Sequence, residues 1–534
     1  MLNLDNKTEE RLSKFAEKYN LQTLEETVSF ILDNFSQLNE ALSFKDVTLD
    51  TGFSDFLPEE ADITTYITRE LKQNTPLISA AMDTITESTM AIAMAQLGGS
   101  GVIHRNLSIE DQVKKVKRVK YAWNLVIEKP ITIDQNQTLK DILELNKEYS
   151  FLGFPVLNEK KLVGIITEKD IKYYLNNLAT PICEMMTPKN SLIFIEENPK
   201  FSQQQYFDAA KPILRERKID KLPVVKIIGD DYLLKGLITA QDVKKRENFK
   251  NASLVDGKTL LVGAAIGCKI NGKENDFDRA EELLKHGKVD YIVVDASHGG
   301  SKNVVYITRE LKIKYKDQIQ LISGNICNDE HAKILIEAGA DALKVGVGPG
   351  SICTTRTKGG VGIPQITATR RVALVAGQYK IPVITDGGFE EEGDVVKAIA
   401  AGAYAIMSGY LFRATKETPG EKFERDGKFF KKYMGMGTIE SMLKGSADRY
   451  HIDDVLLANW LLNENLIPPP IEQGVVKELP YRGEVVKYFN EVIGGLRIGM
   501  GLTGKRTIEE LRKSYNLFWK VTPEGRREGN VHGF

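Results

Sequence analysis

Eight short apolar runs set the limits on how this chain can fold. They read PLISAAMD (76–83), GVIH (101–104), LLVGAAIG (260–267), YIVVDAS (291–297), IQLISGN (319–325), ALKVGVG (342–348), PVITDGG (382–388) and AYAIMSG (403–409). The runs are continuous and apolar, which predicts strands buried on both faces. Amphipathic helical patterns such as DRAEELLKHG, DEHAKILIEAGA and DVVKAIAAGA lie between most of them. Buried strands alternating with helices give a parallel sheet with helices outside, and eight units is the count of a (β/α)8 TIM barrel. The recurring AGA before a strand supplies a glycine that can end each helix. An open doubly wound sheet is the alternative, but its glycine fingerprint is missing at the first βα turn.

The second and third runs are separated by about 155 residues, too many for a loop. An inserted domain is the simpler reading. It contains a duplication: FPVLNEKKLVGIITEKDI (154–171) matches LPVVKIIGDDYLLKGLITAQDV (222–243). Each copy reads as Pro-Val, strand, turn, strand, a T-x-x-D and a helix. The pair resembles a tandem cystathionine-β-synthase-type (CBS) module. The expected organisation is therefore a helical appendage at 1–40, a first barrel part at 41–125, the CBS pair at 126–245 and the remaining barrel at 246–534. The appendage rests on Leu24, Val28, Ile31 and Leu32 at helical spacing.

Composition narrows the class. Lys and Arg number 72 against 73 for Asp and Glu, which argues against a nucleic-acid or anionic-membrane binder. No apolar run approaches the ~18–20 residues of a membrane span, and the N-terminus has no signal-like apolar core. Cys183, Cys268, Cys327 and Cys353 form no CxxC pair, which fits a reducing, cytoplasmic setting. The histidines form no HExxH pair, so no zinc site is expected.

The most informative stretch is KVGVGPGSICTTRTKGGVGIPQ (344–365), after the sixth strand. In a (β/α)8 barrel that position is the C-terminal mouth, where active sites lie. A lone cysteine is commonly a small buried hydrophobe. Here Cys353 stands among glycines and hydroxyls whose dipoles and exposure favour a thiolate nucleophile. DGG (386–388) and SGYLF (408–412) end strands seven and eight, whose loops commonly bind phosphate in this fold. Asp386 can accept two hydrogen bonds from ribose hydroxyls.

Taken together, PLISAAMDTITESTMAIAMAQLGGSGVIH, GPGSICTTR, ITDGG, YMGMG, GSADRY and GGLRIGMGLTG resemble the IMP dehydrogenase family. The match runs from about residue 42 to the C-terminus, with the CBS insertion in the family's usual place. The resemblance implies oxidation of IMP to xanthosine monophosphate by NAD⁺, with Cys353 adding to C2 of the purine and a covalent thioimidate then hydrolysed. It implies that Ser351, Asp386, Gly387, Gly388, Gly409 and Tyr410 hold phosphate and ribose. Tyr433, Met434, Gly435, Met436 and Gly437 would complete that side, Ser79 and Met82 would line the pocket, and Gln473 would contact the base. Tyr410 departs from the family, which usually has a small residue there. Asp295, Ala296, Ser297, Asn325, Gly346, Val347 and Gly348 would lie along NAD⁺.

The same resemblance implies K⁺ on the carbonyls of Gly348, Gly350 and Cys353. Glu528, Gly529 and Asn530 of a neighbouring subunit would complete that site, in a homotetramer or an octamer. A mobile flap at about 438–480 would carry Arg449, the water-activating residue, with Tyr450 beside it and Thr355 as an alternative relay. An arginine is a demanding base: at a pKa above 12 only about 10⁻⁵ of it is neutral at pH 7. Asp170 and Asp242 of the T-x-x-D pairs would contact adenine or guanine nucleotides as regulators. GMP reductase, which shares the barrel, the cysteine loop and DGG, is the nearest alternative. It typically lacks the Arg-Tyr flap and usually the CBS pair. A catalytically silent nucleotide sensor is another, against which Cys353, Thr355 and Arg449 stand intact.

Overall fold

A computed structural model describes residues 40–149, 152–271, 275–450, 454–462 and 470–529, with residues 16 and 452. The expected N-terminal helical appendage and Asn530 fall outside the described residues. The chain divides into two compact units, one of residues 1–120, 251–255 and 260–534, the other of residues 121–250 and 256–259.

The first unit is built on a closed barrel of eight parallel strands. In chain order these are β1 Leu77–Ser79, β2 Ser100–Ile103, β3 Val262–Ile266, β4 Tyr291–Asp295, β5 Leu321–Ile326, β6 Ala342–Val345, β7 Val383–Asp386 and β8 Ala405–Ser408. Six fall within the apolar runs, and β2 and β5 each overrun theirs by one residue. The ring closes where Met407 of β8 pairs with Ile78 of β1. Alternate residues point inward, and Ile78, Val102, Ala265, Val293, Ile322 and Ile384 fill the interior as a packed core. Outside, the helix Ser88–Gln96 lies so close to β2 that a Cβ on Gly101 would stand 2.8 Å from the Ala91 Cα. A second apolar layer joins the helix Gly393–Ala400 to the long helix Val485–Thr503 through Val395, Ile399, Phe489 and Leu496. Burying such side chains stabilises the layer by roughly 1.5–3 kcal/mol each.

After β8 the chain forms an antiparallel sheet of Phe423–Arg425, Lys428–Met434 and Val476–Pro480. Residues 435–475 leave and return between its last two strands. They carry the 3-10 turn Asp448–Tyr450. No described helix is long and apolar enough to cross a membrane.

The second unit repeats one motif. Gly153–Asn158 pairs antiparallel with Lys161–Thr167 and runs into the helix Glu168–Ile171. Lys221–Ile228 pairs likewise with Asp231–Thr239 before the helix Ala240–Asn248. The two T-x-x-D motifs open these helices. Asp170 accepts hydrogen bonds from the Thr167 N–H at 2.8 Å and hydroxyl at 2.7 Å. Asp242 accepts from the Thr239 hydroxyl at 2.6 Å. Both are helix caps, so the spacing that suggested ribose contacts has a structural cause that needs no ligand.

Candidate active site

The C-terminal ends of the strands open into one cleft. Its floor is a charge network. Lys344, on β6, is 1% exposed and donates to Asp295 of β4 at 2.7 Å and to Asp386 of β7 at 2.9 Å. It also donates to Asn325 Oδ1. Asn325 in turn donates to Asp386 at 2.9 Å and to the Gly346 carbonyl at 2.8 Å. A buried cation is costly unless paired and fully hydrogen-bonded; three acceptors meet that condition. Lys344→Met would leave Asp386 without its cation and Asp295 with Arg449 alone. The expected loss is about 3–5 kcal/mol of stability, read as a lowered urea midpoint.

Above this floor runs the cysteine loop. Gly346 has φ +149°, and a Cβ there would collide with the Asp386 carbonyl, so only glycine lets the loop leave β6 along β7. The Cys353 N–H donates to the Gly350 carbonyl at 2.9 Å. Its Sγ lies 3.1 Å from Thr355 Oγ1, which donates to Gln473 Oε1 at 3.0 Å. Residues 473–475 lie on the loop like a short strand: Thr354 donates to the Gln473 carbonyl at 3.0 Å and Val475 to the Ile352 carbonyl at 3.0 Å. Gln473, placed in sequence only by its Gln-Gly pair, is thus bonded directly to the residue beside the thiol.

The third wall is the GSADRY segment. Arg449 forms an ion pair with Asp295, and its carbonyl accepts from the Ser297 N–H at 3.0 Å and hydroxyl at 2.7 Å. Burial pulls the Arg449 pKa below the ordinary arginine range, and the nearby Arg105 cation adds to this. Arg449 Nε is buried without a hydrogen-bond partner. Burial also raises the pKa of Tyr450, whose ring packs over Gly437. On the opposite side burial pushes the Tyr433 phenol up to about 12, so it stays a hydrogen-bond donor at neutral pH; the Ser351 hydroxyl is its partner.

Most of the expected site residues meet in this cleft. Cys353, Thr355, Arg449, Tyr450 and Gln473 line it, with Asp295, Ser297, Asn325, Gly346, Gly348 and Gly350. So do Met82, Ser351, Asp386, Gly387, Gly388, Gly409, Tyr410, Tyr433, Gly435 and Met436. Five do not reach its surface. Ser79 is fully buried in β1 and accepts from the Thr86 hydroxyl at 2.8 Å, so it supports the wall. Ala296, Val347 and Met434 are buried, and the Gly437 carbonyl accepts from Gln473 N–H. Glu528 ends the last described helix with Gly529 after it, and neither lines the cleft. Sequence reading missed Lys344 and Arg105. A lone lysine inside the apolar run ALKV was the available signal for the first.

The fold and cleft define a (β/α)8 enzyme with a thiol, a guanidinium and a phenol at its barrel mouth. The IMP dehydrogenase / GMP reductase domain matches residues 41–532. The chain is 42% identical to the inosine-5'-monophosphate dehydrogenase of Aquifex aeolicus over 93% of its length and 96% of that protein's. It is 40% identical to the Escherichia coli K12 enzyme of that name over 92% of the chain and 96% of the relative. A solved GMP reductase of Trypanosoma brucei, in complex with guanosine 5'-monophosphate, superposes with TM-score 0.80 at 33% identity, over 93% of this chain and 99% of the other. The chain belongs to the IMP dehydrogenase / GMP reductase family.

One expectation is corrected by that last match. The share of the chain left uncovered is too small to omit residues 121–250, so a GMP reductase can carry this insertion. The insertion therefore does not separate the two activities. The identity is higher to the dehydrogenases, 42% and 40%, than to that reductase, 33%.

Proposed function

We infer that the chain is an NAD⁺-dependent IMP dehydrogenase, converting IMP to xanthosine monophosphate. The observation that carries this reading is the joint presence of Cys353, Thr355, Arg449 and Tyr450 around one cleft. The Cys353 thiolate adds to C2 of the purine, and the carbon so formed releases hydride. NAD⁺, when bound, accepts that hydride. Cys353 is left as a thioimidate, which water hydrolyses to product and free thiol. Thiolates suit both halves, as nucleophile and as leaving group.

Asp386, Gly387 and Gly388 with Gly409, Tyr410 and the Ser351–Tyr433 pair take the ribose phosphate. Asp295, Ser297 and Asn325 take the dinucleotide side; Asp295 is already held in place by Lys344. In the hydrolytic half Arg449 accepts a proton from water, with Thr355 as the other relay; burial disfavours its charged form and the Asp295 ion pair favours it. Incubation with IMP and NAD⁺ while following NADH absorbance tests the reading. NADPH-dependent reduction of GMP without IMP oxidation would overturn it in favour of the reductase.

K⁺ fits the cysteine loop. Gly348 lies at φ +72°, and a Cβ there would stand 2.7 Å from Arg356 Cγ, so the loop turns tightly on glycine, which supports a close backbone approach to an ion. The carbonyls of Gly348, Gly350 and Cys353 would hold the ion, with Glu528, Gly529 and Asn530 supplied by a second copy in a tetramer or octamer. The four cysteines, free of disulfides, suit the cytoplasm.

The inserted unit is read as a CBS-type regulatory pair that binds adenine or guanine nucleotides. Allostery needs a second site with its own coupling free energy. Replacing residues 121–250 by a short linker should leave NADH formation largely intact and remove any response to ATP or GTP. An equal response in the shortened protein would refute the regulatory assignment.

A further inference from the structure

Arg105 follows β2 in the sequence GVIHRN and belongs to no motif used above. Its side chain is 7% exposed. One guanidinium nitrogen donates to Asp448 Oδ2 at 2.9 Å. The other donates to Asp448 Oδ1 and to the Gly445 carbonyl at 2.8 Å. Asp448 immediately precedes Arg449, and Gly445, at φ +118°, is where the chain turns toward it. A bidentate guanidinium–carboxylate pair fixes direction as well as distance.

The surroundings are shaped for this contact. A Cβ on Gly267 would overlap the Arg105 guanidinium, so the chain leaving β3 passes it with glycine. The neighbouring Asn106 donates to Ser441 Oγ at 2.9 Å, which holds the same segment a turn earlier. Beyond Arg449, Ser297 grips the Arg449 carbonyl. Residues 445–449 are thus held from β2 on one side and from β4 on the other. Asp448 and Asp276 offset the burial cost of Arg105 and hold its pKa above the ordinary arginine value, so it is a permanent cation.

We propose that Arg105 is the positioning residue of the hydrolytic half-reaction: its grip on Asp448 and the Gly445 carbonyl aims Arg449 and Tyr450 at the Cys353 adduct. The proposal rests on the dehydrogenase reading above. Arg105 touches neither reacting atom. As a fixed like charge it also disfavours the protonated form of Arg449, in the same direction as burial.

Loss of the grip should misplace Arg449 without touching purine or thiol. Misplacement by about 1 Å can cost on the order of 10²-fold in rate. In Arg105→Met the first-turnover NADH burst should stay within about twofold of wild type, while steady-state turnover falls ~10–100-fold. The KM for IMP should be unchanged, and purine adduct on Cys353 should accumulate by intact mass. Arg105→Lys should recover part of the loss, since an ammonium can keep one of the contacts. Arg105→Met combined with Arg449→Ala should be no slower than Arg449→Ala alone. Parallel slowing of burst and turnover, or an additive double variant, would overturn the proposal. If Arg105→Met fails to fold, Asp448→Asn tests the grip from its other end at nearly constant size; unchanged adduct hydrolysis there also overturns it. Absence of any NADH burst in the wild-type protein would instead reject the dehydrogenase reading.

Discussion

Cys353→Ala is expected to bind IMP and form no NADH. The hydride comes from a carbon that becomes tetrahedral only when sulfur adds to it. Cys353 is the only thiol lining the cleft among the described residues. The Ser351 and Thr355 hydroxyls nearby lack the low pKa that makes a thiol nucleophilic near neutrality. Truncation removes one contact, Sγ to Thr355 Oγ1, while Thr355 keeps its bond to Gln473. That costs about 1 kcal/mol and leaves the binding surface standing. Equilibrium titration with IMP and a sensitive absorbance assay separate the two properties. Turnover above about 1% of wild type would remove Cys353 from the nucleophile's role.

Arg449→Ala should divide the reaction differently. Hydride transfer should proceed at nearly its normal rate, because the guanidinium takes no part in adding the thiol to the purine. Steady-state turnover should fall ~10²–10⁴-fold, the usual worth of a positioned acid–base group. The adduct should therefore accumulate and be visible by rapid mixing with intact-mass detection. Asp295, relieved of one cation, still has Lys344 at 2.7 Å and stays paired. A slowed burst with no adduct would place Arg449 in the redox step.

The barrel was legible because its strands are unbroken apolar runs, a pattern that survives without knowledge of neighbours. The cysteine loop was legible because glycine spacing reports a backbone that must approach something. Lys344 was not, because its role exists only once β4, β5, β6 and β7 stand side by side; along the chain it is one lysine among valines. Arg105 was hidden for the same reason, its partner lying more than three hundred residues away. The T-x-x-D motifs carry two meanings, since a spacing that suggests a ligand is also the spacing of the helix cap seen here. Ser79 was placed correctly in a strand but on the side that faces away from the cleft, and one residue decides which face a strand residue takes.

Lys344 also constrains what descendants of this chain can become. A single ammonium is shared by a carboxylate from β4 and another from β7. Replacing Lys344 removes the one cation that Asp386 has among these contacts, and replacing either carboxylate changes the charge that the lysine balances. A lineage seeking a different purine or electron acceptor has to alter the 345–365, 386–389 and 445–450 segments around a fixed triad of charges, and a graft of those segments between relatives should succeed where a graft of single floor residues fails.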